Sequence, residues 1–249
     1  MTVKAGDTQI AENERVRVQG SKNMTLLPDF FIVDIYNVSD EDYSSIVDNK
    51  TLSVFGSDGG LLCTGEIDDI YKRQEGANMI STLAVVDGKS FWQTSISETV
   101  GAGSSVKTTY QHILKNASVG SFTASDVRLV RGQTFSGRLA ECVSELARSV
   151  HGRAYITNGA VYITSNGNAS EVVALNDDDI VLDQDTATGT RMIKTVVKGY
   201  PVGALVETGG SKYRLASQKF DADNFEGAWN SYLVLVNEEM LSGGGMEGG

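Results

Sequence analysis

The sequence predicts an α+β protein, mostly antiparallel β, and three observations carry that expectation. Strand-like alternation recurs between turn signals, as in FFIVDIYNV at 30–38 and in TLSVFGSDGGLLCTGEIDDIYKRQEGANMISTLAVVDG at 51–88. Glycine outnumbers proline by 27 to 2, which suits a chain of many tight turns. Two longer stretches, near 104–116 and 134–150, instead place apolar residues at helical spacing.

The elements follow in order. The first residues, MTVKAGDTQIAENERVRVQG, are polar and lack the apolar segment of a signal peptide, so none is expected. In the 30–38 strand, Phe31, Val33 and Ile35 share one face. Ser39 and Asp42 then stand at capping-box spacing before a short helix with Tyr43, Ile46 and Val47 on its apolar side. The 51–88 stretch reads as a three-strand meander over 51–56, 61–71 and 78–86. Its turns are Ser57-Asp-Gly-Gly60 and Gln74-Glu-Gly-Ala77. In GAGSSVKTTYQHILKNA (101–117) a serine N-cap precedes Val106, Tyr110, Ile113 and Leu114 at helical spacing. Residues 118–133 read as loop with one short strand.

TFSGRLAECVSELARSVHG (134–152) carries one apolar stripe of Phe135, Leu139, Cys142, Val143, Leu146 and Val150. Leu139 and Leu146 are expected to be buried, and Gly152 is expected to end the helix in the left-handed conformation. RAYITNGAVYITS follows at 153–165. Its Asn158-Gly159 pair favours a type I′ turn, because both residues tolerate positive φ. That register places Ile156 opposite Val161, Ala154 opposite Ile163 and Tyr155 opposite Tyr162, with the helix on the Ile156/Val161 face. Beyond it, NDDDIVLDQDTATGTR (176–191) reads as an acidic, loop-like connector. Strands are expected at 191–201 and 228–239, with a second hairpin between them, and SGGGMEGG (242–249) as a flexible tail.

Composition narrows the function classes. The net charge of −11 argues against sequence-wide affinity for nucleic acid, since phosphate binding needs positive surface. Residues 107–153 run the other way, with seven bases (Lys107, Lys115, Arg128, Arg131, Arg138, Arg148, Arg153) against three acids, which reads as mixed solvated surface. No run of 18 apolar residues occurs, so no membrane span is expected. Cys63 and Cys142 sit in apolar contexts and read as reduced core residues.

No catalytic, cofactor-binding or metal-binding residue is assigned. His112 and His151 each lie on a helix or at its end, with no second histidine at ligand spacing, and the cysteines form no CxxC pair. GAGSSVKT (101–108) fails as a phosphate loop because Val106 stands where a glycine is needed before Lys107. Asp177, Asp178 and Asp179, with Asp183 and Asp185, offer carboxylates to a hard cation, but without the glycine of a calcium loop. DADNFEG (221–227) fails likewise at Phe225. Solvated acidic loops are the expectation for both, and the whole is the profile of a protein that assembles rather than one that reacts.

The order of these elements resembles the baseplate hub, or tail hub, proteins of tailed bacteriophages, mainly contractile-tailed ones. The resemblance rests on an early strand and short helix, the hairpin TLSVFGSDGGLLCTGEIDDIYK, the strand ending VVDGKSFW, the helices SSVKTTYQHILKN and TFSGRLAECVSELARSVHG, and the hairpin RAYITNGAVYITS. It covers roughly residues 25–200 and implies tube-protein-like β-barrel domains in a homotrimeric ring at the end of the tail tube. A small helix-plus-hairpin insertion would pack beside them. The implied organisation is a first tube-like β domain over 1–102, the insertion over 103–175, a second, reduced β domain over 176–241 and the tail over 242–249.

The implied partners are the chain itself, the tail tube protein, a spike or tail-tip protein, and DNA in passage without specific binding. The implied location is the virion, with assembly in the host cytoplasm. The alternative reading is a non-catalytic β-rich module that binds carbohydrate or host from a phage fibre or a cell surface. A hydrolase ranks third.

Overall fold

The computed structural model describes residues 1–11, 14–169, 171–175, 180–185, 189–208, 211–227 and 229–238. Along the chain, β1 (Thr2–Ala5), β2 (Thr8–Ile10), β3 (Val16–Asn23) and β4 (Asp29–Tyr36) precede α1 (Asp40–Asn49). Then come β5 (Thr51–Phe55), β6 (Leu61–Glu75), β7 (Asn78–Asp87), α2 (Lys89–Gln93), β8 (Ser95–Val100) and α3 (Val106–Ile113). The middle of the chain holds β9 (Ser118–Phe122), β10 (Gln133–Arg138), α4 (Leu139–Ser149), β11 (Arg153–Thr157) and β12 (Ala160–Thr164). The last part holds β13 (Val172–Ala174), β14 (Ile180–Asp185), β15 (Thr190–Thr195), β16 (Leu205–Thr208), β17 (Ser211–Asp223) and β18 (Trp229–Asn237).

The fold is mostly antiparallel β, as expected. Among the described residues the main sheet has 13 strands, and its path runs β14-β15-β18-β17-β3-β4-β7-β6-β5-β1-β2, with β16 on β17 and β13 on β16. The closed barrels that the resemblance implied are not there: among the described residues the path ends at β14 and β2, which do not pair. Strands from the two ends of the chain meet in its middle, where β17 pairs β3 from Ser217↔Asn23 to Asp223↔Arg17. The alternation read in the 30–38 strand is realised as Phe31, Val33 and Ile35 inward and Phe30 and Ile32 outward.

Three apolar cores result among the described residues. One lies under the first strands and α1, around Val18, Phe31, Val33, Ile46, Leu52 and Phe220. A second joins α3, α4 and the β11–β12 hairpin through Tyr110, Phe135, Leu139, Leu146, Ile156 and Val161. A third lies under β15, β17 and β18, around Ile193, Leu215, Leu233 and Leu235.

Local sequence explains most of the elements. Ser39 Oγ accepts the Asp42 N–H at 3.1 Å and caps α1, while Ser105 Oγ accepts the Thr108 N–H at 3.0 Å and caps α3. The hairpin register is the one read from the turn: Ala154↔Ile163, Tyr155↔Tyr162 and Ile156↔Val161. Asn158 and Gly159 both have positive φ, at 52° and 75°. The two tyrosine rings stack at 5.1 Å.

Several expectations are corrected. Residues 134–138 are not helix: with Gln133 they form β10, which pairs β8 from Gln133↔Val100 to Arg138↔Ser95, and Gly137 at φ 117° lies outside helical space. Phe135 still reaches the core, because a strand entering the helix can present it to the same side. The left-handed residue after α4 is His151 (φ 51°), not Gly152. The Gly152 N–H bonds the Ala147 carbonyl and the His151 N–H bonds the Arg148 carbonyl, a Schellman ending one residue earlier than expected. Gly152 is needed for another reason: a Cβ there would lie 2.9 Å from the Thr164 carbonyl oxygen.

Val47 is exposed rather than part of the α1 core side. Within the connector, 180–185 is strand β14, and the 191–201 strand stops at Thr195. Strand β9 joins β12 in parallel, which alternation alone does not specify. The turn at 209–210 and the tail at 242–249 lie outside the described residues.

Candidate functional site: the buried seam between hairpin and sheet

The hairpin does not float beside the sheet. It is driven into it at two points, each built on a buried cation. Strand β3 alternates Val16, Val18, Gly20 and Lys22 toward the interior, so the period that buries the valines also buries an amine. Lys22 is 0% exposed. Its Nζ donates to the Leu61 carbonyl at 3.1 Å and to Asn158 Oδ1, in the hairpin turn, at 3.0 Å. Burial pulls the amine down to about 8, against the pull of Asp87 and Asp29 nearby.

The end of β7 supplies the other side of this grip. Asp87 is 1% exposed, and its Oδ1 accepts the Gly159 N–H at 2.8 Å. Its Oδ2 is buried with no hydrogen-bond partner. Burial raises the Asp87 carboxyl above the usual range, opposed by backbone N–H groups of Gly159, Asn158 and Gly88 and by Lys22. Asp29, at the start of β4, accepts from Asn23 Nδ2 at 2.8 Å and the Asn23 N–H at 3.1 Å, and burial pushes it up to about 6. Cys63 is buried in the same neighbourhood, and its thiol is pushed up to about 12. The hairpin approaches so closely that a Cβ on Gly88, itself at φ 78°, would lie 2.8 Å from Ile156. The Ile156 N–H donates to the Thr25 carbonyl at 2.9 Å and completes the docking.

The second grip holds the hairpin's exit. Arg214 on β17 is 1% exposed. Its guanidinium donates to the carbonyls of Gly203 at 2.7 Å, Asn168 at 2.9 Å and Ser165 at 3.4 Å, and forms an ion pair with Glu238. Glu238 Oε2 in turn accepts the Gly167 N–H at 2.7 Å. One guanidinium therefore ties β17, β18, the loop after β12 and the loop before β16. Gly203, at φ 85°, has no room for a side chain, since a Cβ would lie 2.3 Å from the Tyr155 ring.

A cleft of about 640 Å³ opens beside the first grip, lined among others by Glu66, Asp87, Ser90, Glu98, Lys115 and Asn158. Its charges are largely used: Glu66 Oε1 accepts the Ser90 N–H at 2.9 Å, and Glu98 pairs with Lys115 at 2.6 Å and His112 at 3.1 Å.

The residues singled out in the sequence are not brought together. His112 stays at the surface against Glu98, and His151 serves as the left-handed cap of α4. Cys63 and Cys142 are free and buried in different cores. Lys107 offers its backbone N–H to Asp126 Oδ1 at 3.0 Å, within the α3 entry. Asp221 and Asp223 are engaged by Arg17 at 2.9 Å and Arg15 at 2.7 Å. Asp183 pairs with Arg191, and Asp177, Asp178 and Asp179 lie outside the described residues. Among the described residues no three His, Cys, Asp or Glu side chains gather as a metal site, and no helix is long and apolar enough to cross a membrane.

Sequence reasoning missed Lys22, Asp29, Asp87, Arg214 and Glu238. The signal for Lys22 was present, since it falls in phase with Val16 and Val18. Arg214 had none: a bulge between Leu215 and Ser217 breaks the alternation that would have placed it.

No protein family and no curated protein matches this sequence. Solved structures do match. A tail protein from Neisseria meningitidis MC58 superposes with a TM-score of 0.64 at 12% identity, over 97% of this chain and 97% of that one. The 43 kDa tail protein of prophage MuSo2 from Shewanella oneidensis gives 0.68 at 10% identity, over 96% and 98%. The E. coli c3393 protein gives 0.63 at 7% identity, over 95% and 77%; it is described as a type VI secretion component with structural similarity to the T4 bacteriophage tail proteins gp27 and gp5. The chain shares the fold of these tail and type VI secretion proteins over 95–97% of its length.

Proposed function

We propose that this chain is a structural tail hub protein that links the distal end of a tail tube to a central spike or tip and lines the DNA channel, without catalysing a reaction. The observation that carries the reading is the likeness to two phage-type tail proteins over 96–97% of the chain, and to a type VI secretion component similar to T4 tail proteins over 95%. The open sheet supports it, because the edges at β2 and β14, unpaired among the described residues, invite uncontrolled pairing unless a neighbour covers them. Copies arranged in a threefold ring cover such edges mutually and complete around the axis the wall that one chain leaves open. The 103–175 segment then acts as an insertion between a first β domain over 1–102 and a reduced second one over 176–241. The negative net charge suits a conduit that must release phosphate backbones.

Light scattering on the purified protein, followed by a reconstruction of the intact particle, tests this. The expected result is a trimeric ring, with each interface above about 1,000 Å² in total. A monomer that binds a defined glycan, or density in a peripheral fibre, sinks the hub reading in favour of a host-binding module.

A further inference from the structure

We infer that Lys22 and Asn158 become joined by an intramolecular isopeptide bond, which ties strand β3 covalently to the tip of the β11–β12 hairpin. Three observations carry this. The Lys22 amine and the Asn158 side-chain amide are already in contact, 3.0 Å from Nζ to Oδ1, although 136 positions separate them in sequence. Lys22 is 0% exposed and forms no ion pair among the described residues, so its cation is poorly compensated. Beside the same turn stands a buried carboxyl, Asp87, with one oxygen on the Gly159 N–H and the other, Oδ2, without a partner.

The chemistry balances without an added reagent. A neutral Lys22 Nζ attacks Asn158 Cγ. The new Nζ–Cγ bond forms, the Cγ–Nδ2 bond breaks, and Nδ2 leaves as ammonia. One amide is exchanged for another, with no oxidation or reduction. The proton that Nζ loses must reach the departing nitrogen, and the Asp87 carboxyl beside the same turn can carry it once its unpartnered Oδ2, beyond hydrogen-bond distance of both nitrogens in this structure, swings toward them: protonated Asp87 gives its proton to Nδ2, and the carboxylate so formed then takes the proton from Nζ. Burial favours each starting form: the amine is pulled to about 8, so a neutral fraction exists at neutral pH, and the Asp87 carboxyl is raised toward its protonated form. Fixing amine and amide in contact replaces a slow encounter with an oriented one.

Two rival reactions are disfavoured. Attack by the Gly159 backbone nitrogen, the usual fate of an Asn-Gly pair, requires freeing its N–H from Asp87. The Cys63 thiol, held up at about 12, is not a competing nucleophile. Asp29, the remaining carboxyl facing Lys22, is occupied by Asn23. The bond clamps the hairpin to the sheet independently of whether the protein is a hub.

Intact-mass measurement of the denatured full-length protein tests the proposal without any variant. The expected result is a mass lower by one ammonia, about 17 Da, than the sequence requires. It is accompanied by a branched tryptic peptide containing both Lys22 and Asn158, because trypsin does not cleave after an acylated lysine. Lys22→Arg and Asn158→Ala are expected to restore the full mass. Asp87→Asn keeps an oxygen for the Gly159 N–H but cannot relay the proton, and is expected to slow bond formation roughly 100-fold or more, with Asp87→Glu partly restoring it. An unchanged mass, or a gain of about 1 Da from deamidation, in protein aged for days at neutral pH overturns the proposal. Undiminished formation in folded Asp87→Asn overturns the role given to Asp87.

Discussion

Two buried cations hold the same hairpin, and they do it differently. Arg214 spreads its donors over Glu238 and three carbonyls, so its charge and its geometry are both answered. Lys22 reaches two neutral oxygens and has buried carboxyls near it but, among the described residues, no ion pair. A planar fork can satisfy several loops at once, whereas an ammonium is a point charge whose state shifts easily when water is removed. The lesson is that similar burial yields a fixed structural tie in one case and a reactive amine in the other.

The comparison can be broken most forcefully at Arg214. Arg214→Met is expected to cost about 3–5 kcal/mol in chemical denaturation, because Glu238 and three carbonyls lose their donor at once. A cost below about 1 kcal/mol would mean that the guanidinium is ornamental. Leu146→Ala measures the hairpin unit's own packing against that tie. Leu146 is 1% exposed on α4, and the change is expected to cost about 2–5 kcal/mol, with the cavity deciding where in that range it falls.

Asp29 sharpens the contrast through pH. Its carboxyl is raised to about 6, so the native state binds a proton there more readily than the unfolded chain does. Its burial cost is absent below the unfolded value and grows as pH rises toward 6. Denaturant titrations should show wild type losing stability relative to Asp29→Asn between about pH 4 and 6, by about 3 kcal/mol in all. A flat difference curve would place Asp29 in an ordinary solvated setting.

The smallest effect is expected at Lys22 once the covalent bond is removed from consideration. In an Asn158→Ala background, adding Lys22→Met should change stability by no more than about 1 kcal/mol in either direction. Removing an under-compensated buried charge offsets the loss of its hydrogen bond to Leu61. A loss as large as that of Arg214→Met would show that the two cations are held alike after all.

What the residues alone specified was local. The two-residue Asn158-Gly159 loop, alternation on either side of it and positive φ at both turn positions determined the hairpin register down to the facing pairs. Serine caps and the apolar stripe likewise located α1, α3 and most of α4, since each depends on neighbours within one or two turns. The tertiary structure decided the rest. It turned 133–138 into a strand because β8 offered an edge, and it left the sheet open where barrels were expected. It also brought Asn158 to Lys22 and Ser165 to Arg214, contacts across 136 and 49 positions. Burial of a charge depends on which distant segments exclude water from it, and no local pattern encodes that exclusion.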